Sequence, residues 1–196
     1  ILYCFPLGVA FISYYRGKSR IVFVQWLSMI VLMVGLYLTL STGEQVLNAY
    51  GLFISFLGLL FFIAFIVTAS DLSEQIGTTT FNLYVNIFGI VLLAVGFILP
   101  LGLEMRLPLT KTGIFAIFAN GLFYISSWVL FFKGASIIGA TRSSMLACIE
   151  PLFAALLAII LLKQILSVSE WIGFFIVLTA IYTFEKNSAK PEACSK

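Results

Sequence analysis

Seven apolar stretches, cut apart by short polar breaks, account for nearly the whole chain: 1–15, 22–40, 47–69, 79–99, 112–132, 143–162 and 169–187. Most have about the 20 residues that a helix needs to cross roughly 30 Å of hydrocarbon. The breaks gather the charges and turn formers, as in RGKSR (16–20), STGEQ (41–45), SDLSEQ (70–75), PLGLEMRLPLTKTG (100–113), KGASIIGATR (133–142) and KQILSVSE (163–170). Composition says that water is not the solvent of such a chain. It is 62% hydrophobic and 10% charged, with a mean hydropathy of +1.14, whereas a soluble domain is about half apolar and about a quarter charged. A chain of 196 residues leaves more surface than so few polar groups can cover. The expected fold is all-α: a polytopic membrane helix bundle of about seven transmembrane helices.

The first stretch is too short. Fifteen residues make only about 22 Å of helix at 1.5 Å each. It opens on Ile1 and has no basic lead-in, so it does not read as a signal peptide. The expectation is a chain that starts inside a helix. The basic residues set the orientation. With the 16–20 break inside, Arg16, Lys18, Arg20, Lys133, Arg142, Lys186, Lys190 and Lys196 lie inside, and Arg106, Lys111 and Lys163 lie outside. That bias predicts a multi-pass protein of the cell (inner or plasma) membrane whose polar tail, 188–196, is cytoplasmic.

Sliding the chain by 145 residues lays Pro6 on Pro151, Leu7 on Leu152, Ala10 on Ala155, Lys18 on Lys163, Trp26 on Trp171 and Tyr37 on Tyr182, without a gap. The two copies sit on the first and sixth stretches. Five crossings separate them, so they are expected to run in opposite directions, an arrangement used by transporters. The repeat unit is then five helices. Residues 1–40 are read as the last two helices of a first unit, and 43–187 as a complete second unit. Extrapolation puts about 100 residues, three helices, before Ile1, and the expected parent fold has ten helices in two inverted repeats.

The stretch GATRSSMLACIEPLFAALLAIILLKQILSVSEWIGFFIVLTAIYTF (139–184) resembles the end of an EamA-like repeat of the drug/metabolite transporter superfamily. The family pattern has Gly-Ala-Thr-Arg, Glu-Pro in the ninth helix, Phe-Ala-Ala, and a Trp-Ile-Gly that opens the tenth. NGLFYISSWVLFFKGASIIGATR (120–142) is similar to its eighth helix, and FPLGVAFISYYRGKSRIVFVQW to the matching helix pair of the first repeat. The resemblance implies helices around a central cavity, alternating access, and small polar or amphipathic metabolites as cargo. The chain departs from the pattern in two places. Lys163-Gln164 stands where many members have Gly-Glu, and Phe5-Pro6 where a Glu-Pro would match.

Glu150 is the residue that most needs a function. It falls about 10 Å into the hydrocarbon, where a bare carboxylate costs ~2.5–3.5 kcal/mol on insertion scales. It must be protonated, paired or facing water. Pro151 cannot donate to the carbonyl of Ala147, so the pair predicts a polar notch at a kink, with the helix restarting at Pro151; Pro6 is the expected kink of the other copy. The functional reading is a proton or substrate-cation site. The plain alternative is a protonated glutamate bonded to a neighbouring helix. Asn120, Tyr124 and Ser127, with Trp128 alongside, form one helical stripe, and Asn82, Asn86 and Gly89 form another. Interhelical hydrogen bonds explain such asparagines as well as a cavity does. For Tyr124 and Trp128 the family resemblance implies a cavity wall suited to planar or cationic cargo. Gly51, Ser55 and Gly58 read as a close-packing seam, and Trp26 and Trp171 as interfacial anchors.

The chosen function is a secondary transporter, proton-coupled through Glu150. Its substrate-binding set is Glu150, Asn82, Asn86, Asn120, Tyr124 and Trp128. A membrane-embedded enzyme needs a metal cluster, paired acids or a nucleophile–base set. The chain has no histidine, and a single aspartate, Asp71, in a polar break. Cys4, Cys148 and Cys194 have no metal or disulfide spacing. No catalytic residue, metal or cofactor is therefore expected. A seven-helix receptor is the other alternative, opposed by the repeat and by the lack of a mid-span lysine in the final helix. The expected partners are a small-molecule substrate, the lipid bilayer and, as an option, a second copy in a homodimer. Three charges in RGKSR do not make a nucleic-acid surface.

Overall fold

The structure, a computed structural model, describes residues 1–40, 48–99 and 110–188. The expected 41–45 turn, most of the 100–113 loop and nearly all of the polar tail lie outside the described residues. Every regular element among those described is helical. A 3-10 turn, Leu2–Cys4, leads into α1 (Phe5–Tyr15), followed by α2 (Phe23–Thr39), α3 (Ala49–Ile76), α4 (Thr78–Ile98), α5 (Lys111–Ile138), α6 (Ala140–Ala147), α7 (Glu150–Leu162) and α8 (Val168–Lys186). By length and apolarity, α3, α4, α5, the α6–α7 tandem and α8 each suffice to cross a membrane, and Leu2–Tyr15 and Phe23–Thr39 are shorter apolar helices. The chain is thus a polytopic helical membrane protein.

Two expected breaks are helical instead. SDLSEQ is the end of α3, and KGASII is the end of α5. Hydropathy locates the water boundary, but Lys, Glu, Gln, Ser and Ala all continue a helix past it. The stops come at Gly77 and Gly139, whose φ values of +84° and +88° lie where a residue with a Cβ is strained.

The fold divides into two compact units, residues 1–68 with 138–196, and residues 69–137. In the first unit, α2 packs along α8 and α1 packs on α6. Gln25 Nε2 donates to Ser188 Oγ at 3.0 Å, Gly35 lies against Val177, and Thr39 lies against Gly173. As the numbers rise along α2 they fall along α8, so the two helices are antiparallel. Glycine makes the approach possible. A Cβ at Gly173 would stand 2.6 Å from the Gly35 carbonyl oxygen and 2.7 Å from the Thr39 nitrogen. Val9, Ala10, Met29, Leu32, Met145, Cys148, Leu152, Val177 and Phe184 are buried here. Among the described residues nothing packs on the seam expected at Gly51, Ser55 and Gly58: nothing lies within 4 Å of a Cβ placed at Gly58, and Ser55 Oγ donates to its own helix at Gly51.

Local structure recurs at the 145-residue offset. Pro6 and Pro151 both stand at the second position of their helices, each after an N-cap residue in the α region. Val22 and Ser167, both extended, cap α2 and α8. The Gln25 carboxamide accepts from Val22 N–H at 3.0 Å, and the Glu170 carboxylate accepts from Ser167 N–H at 2.6 Å. Ser167 Oγ also accepts from Glu170 N–H, closing a capping box. Valine has no acceptor, so the α2 version is half a box. After α1 and α7 the backbone turns through the left-handed region, at Gly17 and at Lys163, one position out of register.

In the second unit, α4 and α5 meet through Phe81 and Phe132, whose rings contact edge to face at 5.2 Å. Phe115, Phe118, Leu122 and Phe123 of α5 are exposed, as a lipid-facing surface requires.

Candidate functional site

The helix that carries Glu150 is broken. α6 ends at Ala147, and the chain passes through Cys148 and Ile149 in a tight turn, with Cys148 N–H donating to Met145 O at 3.3 Å and Ile149 N–H to Leu146 O at 3.0 Å. α7 then begins at Glu150 itself, one residue before Pro151. The proline's missing donor lies where a first-turn N–H has no helical partner in any case. Glu150 therefore opens α7 at an interruption within one 23-residue apolar span, where the kink is expected. Its neighbours Cys148, Pro151 and Leu152 are buried while Glu150 is exposed. Among the described residues no group hydrogen-bonds its carboxylate. Tyr3 and Cys148 lie within electrostatic range of it, so the 3-10 turn ahead of α1 and the break ahead of α7 are neighbours.

The remaining five residues belong to the second unit, and Glu150 to the first. Asn82 is buried and Asn86 half-buried. Asn82 Nδ2 donates to Thr78 O at 2.9 Å and Asn86 Nδ2 to Asn82 O at 2.8 Å. Each amide thus spends a donor one turn back on its own helix, a local bond that competes with any ligand. Its carbonyl oxygen is an acceptor for a further donor. On α5, Asn120 is exposed, Tyr124 exposed and Trp128 half-buried. Tyr124, Trp128 and Phe132 recur every four residues and form an aromatic ladder. Tyr124 meets Trp128 edge to face at 6.2 Å, and Trp128 stacks on Phe132 at 5.5 Å. Phe132, fully buried against Phe81, fixes the ladder's base beside Asn82. Ser127 Oγ donates to Tyr124 O.

Sequence reasoning missed the polar contact of the first unit. Arg142 Nε donates to the two carboxylate oxygens of Glu185 at 3.3 and 3.1 Å, and Nη2 donates to Oε2. The partners lie 43 residues apart, one at the start of α6 and the other at the end of α8, and no local pattern joins them. Among the described residues no three His, Cys, Asp or Glu side chains gather as a metal site.

The model of the EamA-like transporter family matches residues 49–184. The chain belongs to this family. This EamA-like protein is also similar to an inner membrane transporter described as uncharacterized, YicL of Salmonella typhimurium strain LT2, at 34% identity over 61 residues. That stretch covers 31% of the chain and 20% of the relative. No solved structure matches. Membership makes the chain a multi-pass membrane protein of a transporter family.

Proposed function

We propose that this EamA-like protein acts as a secondary transporter of small metabolites, amino-acid-like, cationic or amphipathic, across the cytoplasmic membrane by alternating access, with Glu150 as the protonatable group. The observation that carries this reading is the placement of Glu150. It opens α7 at a break in a membrane-length span, exposed, with no hydrogen-bond partner among the described residues. Against lipid tails such a carboxylate costs ~2.5–3.5 kcal/mol, so it has to meet water, cargo or further protein. Broken helices that present their ends to cargo and ions are how transporters of this type bind.

The antiparallel packing of α2 on α8, together with the local structure shared at the 145-residue offset, supports reading residues 1–40 as the end of one five-helix repeat and 43–187 as a second, inverted one. In that topology the α8 C-terminus is cytoplasmic. Asn82, Asn86, Asn120, Tyr124 and Trp128 serve in cargo binding, with the aromatic ladder favouring planar or cationic groups. Glu150 takes up a proton when cargo leaves and gives it up when cargo binds, which ties cargo movement to the proton gradient.

The test uses protein expressed from its complete natural reading frame, reconstituted in vesicles and screened for metabolite uptake with and without a pH gradient. Glu150→Gln is expected to abolish the response of uptake to the gradient. Equal uptake with an equal pH response would remove Glu150 from the mechanism.

A further inference from the structure

The ion pair between α6 and α8 has neighbours that make little sense if it is only a surface contact. Arg142 is flanked on α6 by Thr141 and Ser143, both 6% exposed. Their hydroxyl oxygens are buried and, among the described residues, hydrogen-bond to nothing. Ser144, next in line, satisfies its own hydroxyl by donating to Thr141 O at 2.8 Å. Buried hydroxyls without partners disfavour the packed position of α6. The two-pronged, charge-assisted contact from Arg142 to Glu185 favours it. The polar terms on this short half-helix thus oppose one another, beside its apolar packing on α1. That balance is what an element with two positions requires.

The hinge for such a movement is already present. α6 is eight residues long, bounded by Gly139 at φ +88° and by the break at Cys148–Ile149, immediately before Glu150. α8, by contrast, is anchored along its length to α2, and its end is tied to α2 again through Gln25 and Ser188. The contact is also one-sided. At the 145-residue offset, Leu40 stands where Glu185 does, so the opposite end of the helix pair has no carboxylate in the equivalent place.

We propose that Arg142–Glu185 is a latch at the end of the bundle that carries the C-terminus: paired, it holds α6 down over Cys148; released, it lets α6 swing about the 148–149 break and hydrates Thr141, Ser143 and Cys148. The face is cytoplasmic under the topology proposed above, and the functional meaning of the latch rests on that reading. The latch itself can be tested without knowing the cargo, because Cys148 lies at the hinge and is buried in the closed position.

The experiment measures alkylation of Cys148 by a membrane-impermeant maleimide, read peptide by peptide by mass spectrometry. It uses inverted and right-side-out membrane vesicles containing the natural protein. Arg142→Gln and Glu185→Gln are each expected to speed labelling from the cytoplasmic face roughly three- to tenfold, the range for losing a half-buried bidentate pair. The exchange Arg142→Glu with Glu185→Arg is expected to restore the slow rate. Unchanged labelling in the single variants overturns the proposal, and so does fast labelling that the exchange fails to reverse, which is the mark of general loosening. If the neutral variants do not reach the membrane, Arg142→Lys replaces them. It keeps the charge but not the fork, with an expected rise of about two- to threefold, and an unchanged rate overturns the proposal equally. An unlatched protein with uptake indifferent to Glu150→Gln would sink the transport reading and leave the latch standing.

Discussion

Gly173→Ala strikes the closest approach of two helix backbones in the first unit. The added Cβ would lie 2.6 Å from Gly35 O, 2.6 Å from Thr39 Oγ1 and 2.7 Å from Thr39 N. Two of these are backbone atoms. The third is held by its own hydrogen bond, Thr39 Oγ1 to Gly35 O at 2.8 Å. No flexible side chain can give way, so α2 and α8 must separate by about 1 Å to restore ordinary contact at roughly 3.5–4.0 Å. Overpacking of this kind costs about 1–3 kcal/mol. The loss is felt fully between membrane helices, whose association rests on close van der Waals packing. For a chain of this size that is a fall in Tm of roughly 2–12 °C. The assay is thermal unfolding in detergent micelles beside Gly58→Ala, a helical glycine with nothing within 4 Å of its added Cβ. The control is expected to be neutral or slightly stabilising, since alanine is the better helix former. If the two variants melted together, the α2–α8 packing described above would be wrong.

Lys163 ends α7 at φ 55°, where a residue with a Cβ pays about 1 kcal/mol. Lys163→Gly is therefore expected to melt above Lys163→Ala, and equal melting temperatures would contradict the strain. Phe132→Ala removes the buried base of the aromatic ladder, with contacts to Phe81, Trp128 and Phe131. It should cost about 3–5 kcal/mol in the same assay, whereas Tyr124→Phe, at an exposed ring, should cost little.

The helices themselves were legible because membrane solvent demands long apolar runs, and α2, α4 and α8 begin and end within a residue or two of their hydropathy bounds. The break before Glu150 was legible because proline cannot donate; that α7 starts on the glutamate was not, since either residue can open a helix. The ends of α3 and α5 were hidden because composition registers water and not backbone, and only the φ values of Gly77 and Gly139 mark the stops. The glycines that pack closely were hidden for a related reason. Gly51 and Gly58 have the spacing of a packing seam, yet among the described residues the close contacts fall at Gly8, Gly35 and Gly173, which no spacing singles out because their partners lie on another helix. The asparagine stripe was found, but its first bonds are to its own helix, and Arg142–Glu185 joins ends that only the fold brings together.

Transport through Glu150 requires that its carboxylate reach water rather than lipid tails. The direct measurement places a thiol there, as Glu150→Cys with Cys4, Cys148 and Cys194 replaced by serine, and applies an impermeant maleimide to each face of the membrane in turn. Labelling from both faces, with a rate on each that changes as the bundle is biased open to one side, is the expected result. A thiol that resists the reagent from both faces, while remaining reactive to a lipid-soluble maleimide, would place the carboxylate against hydrocarbon and contradict the account.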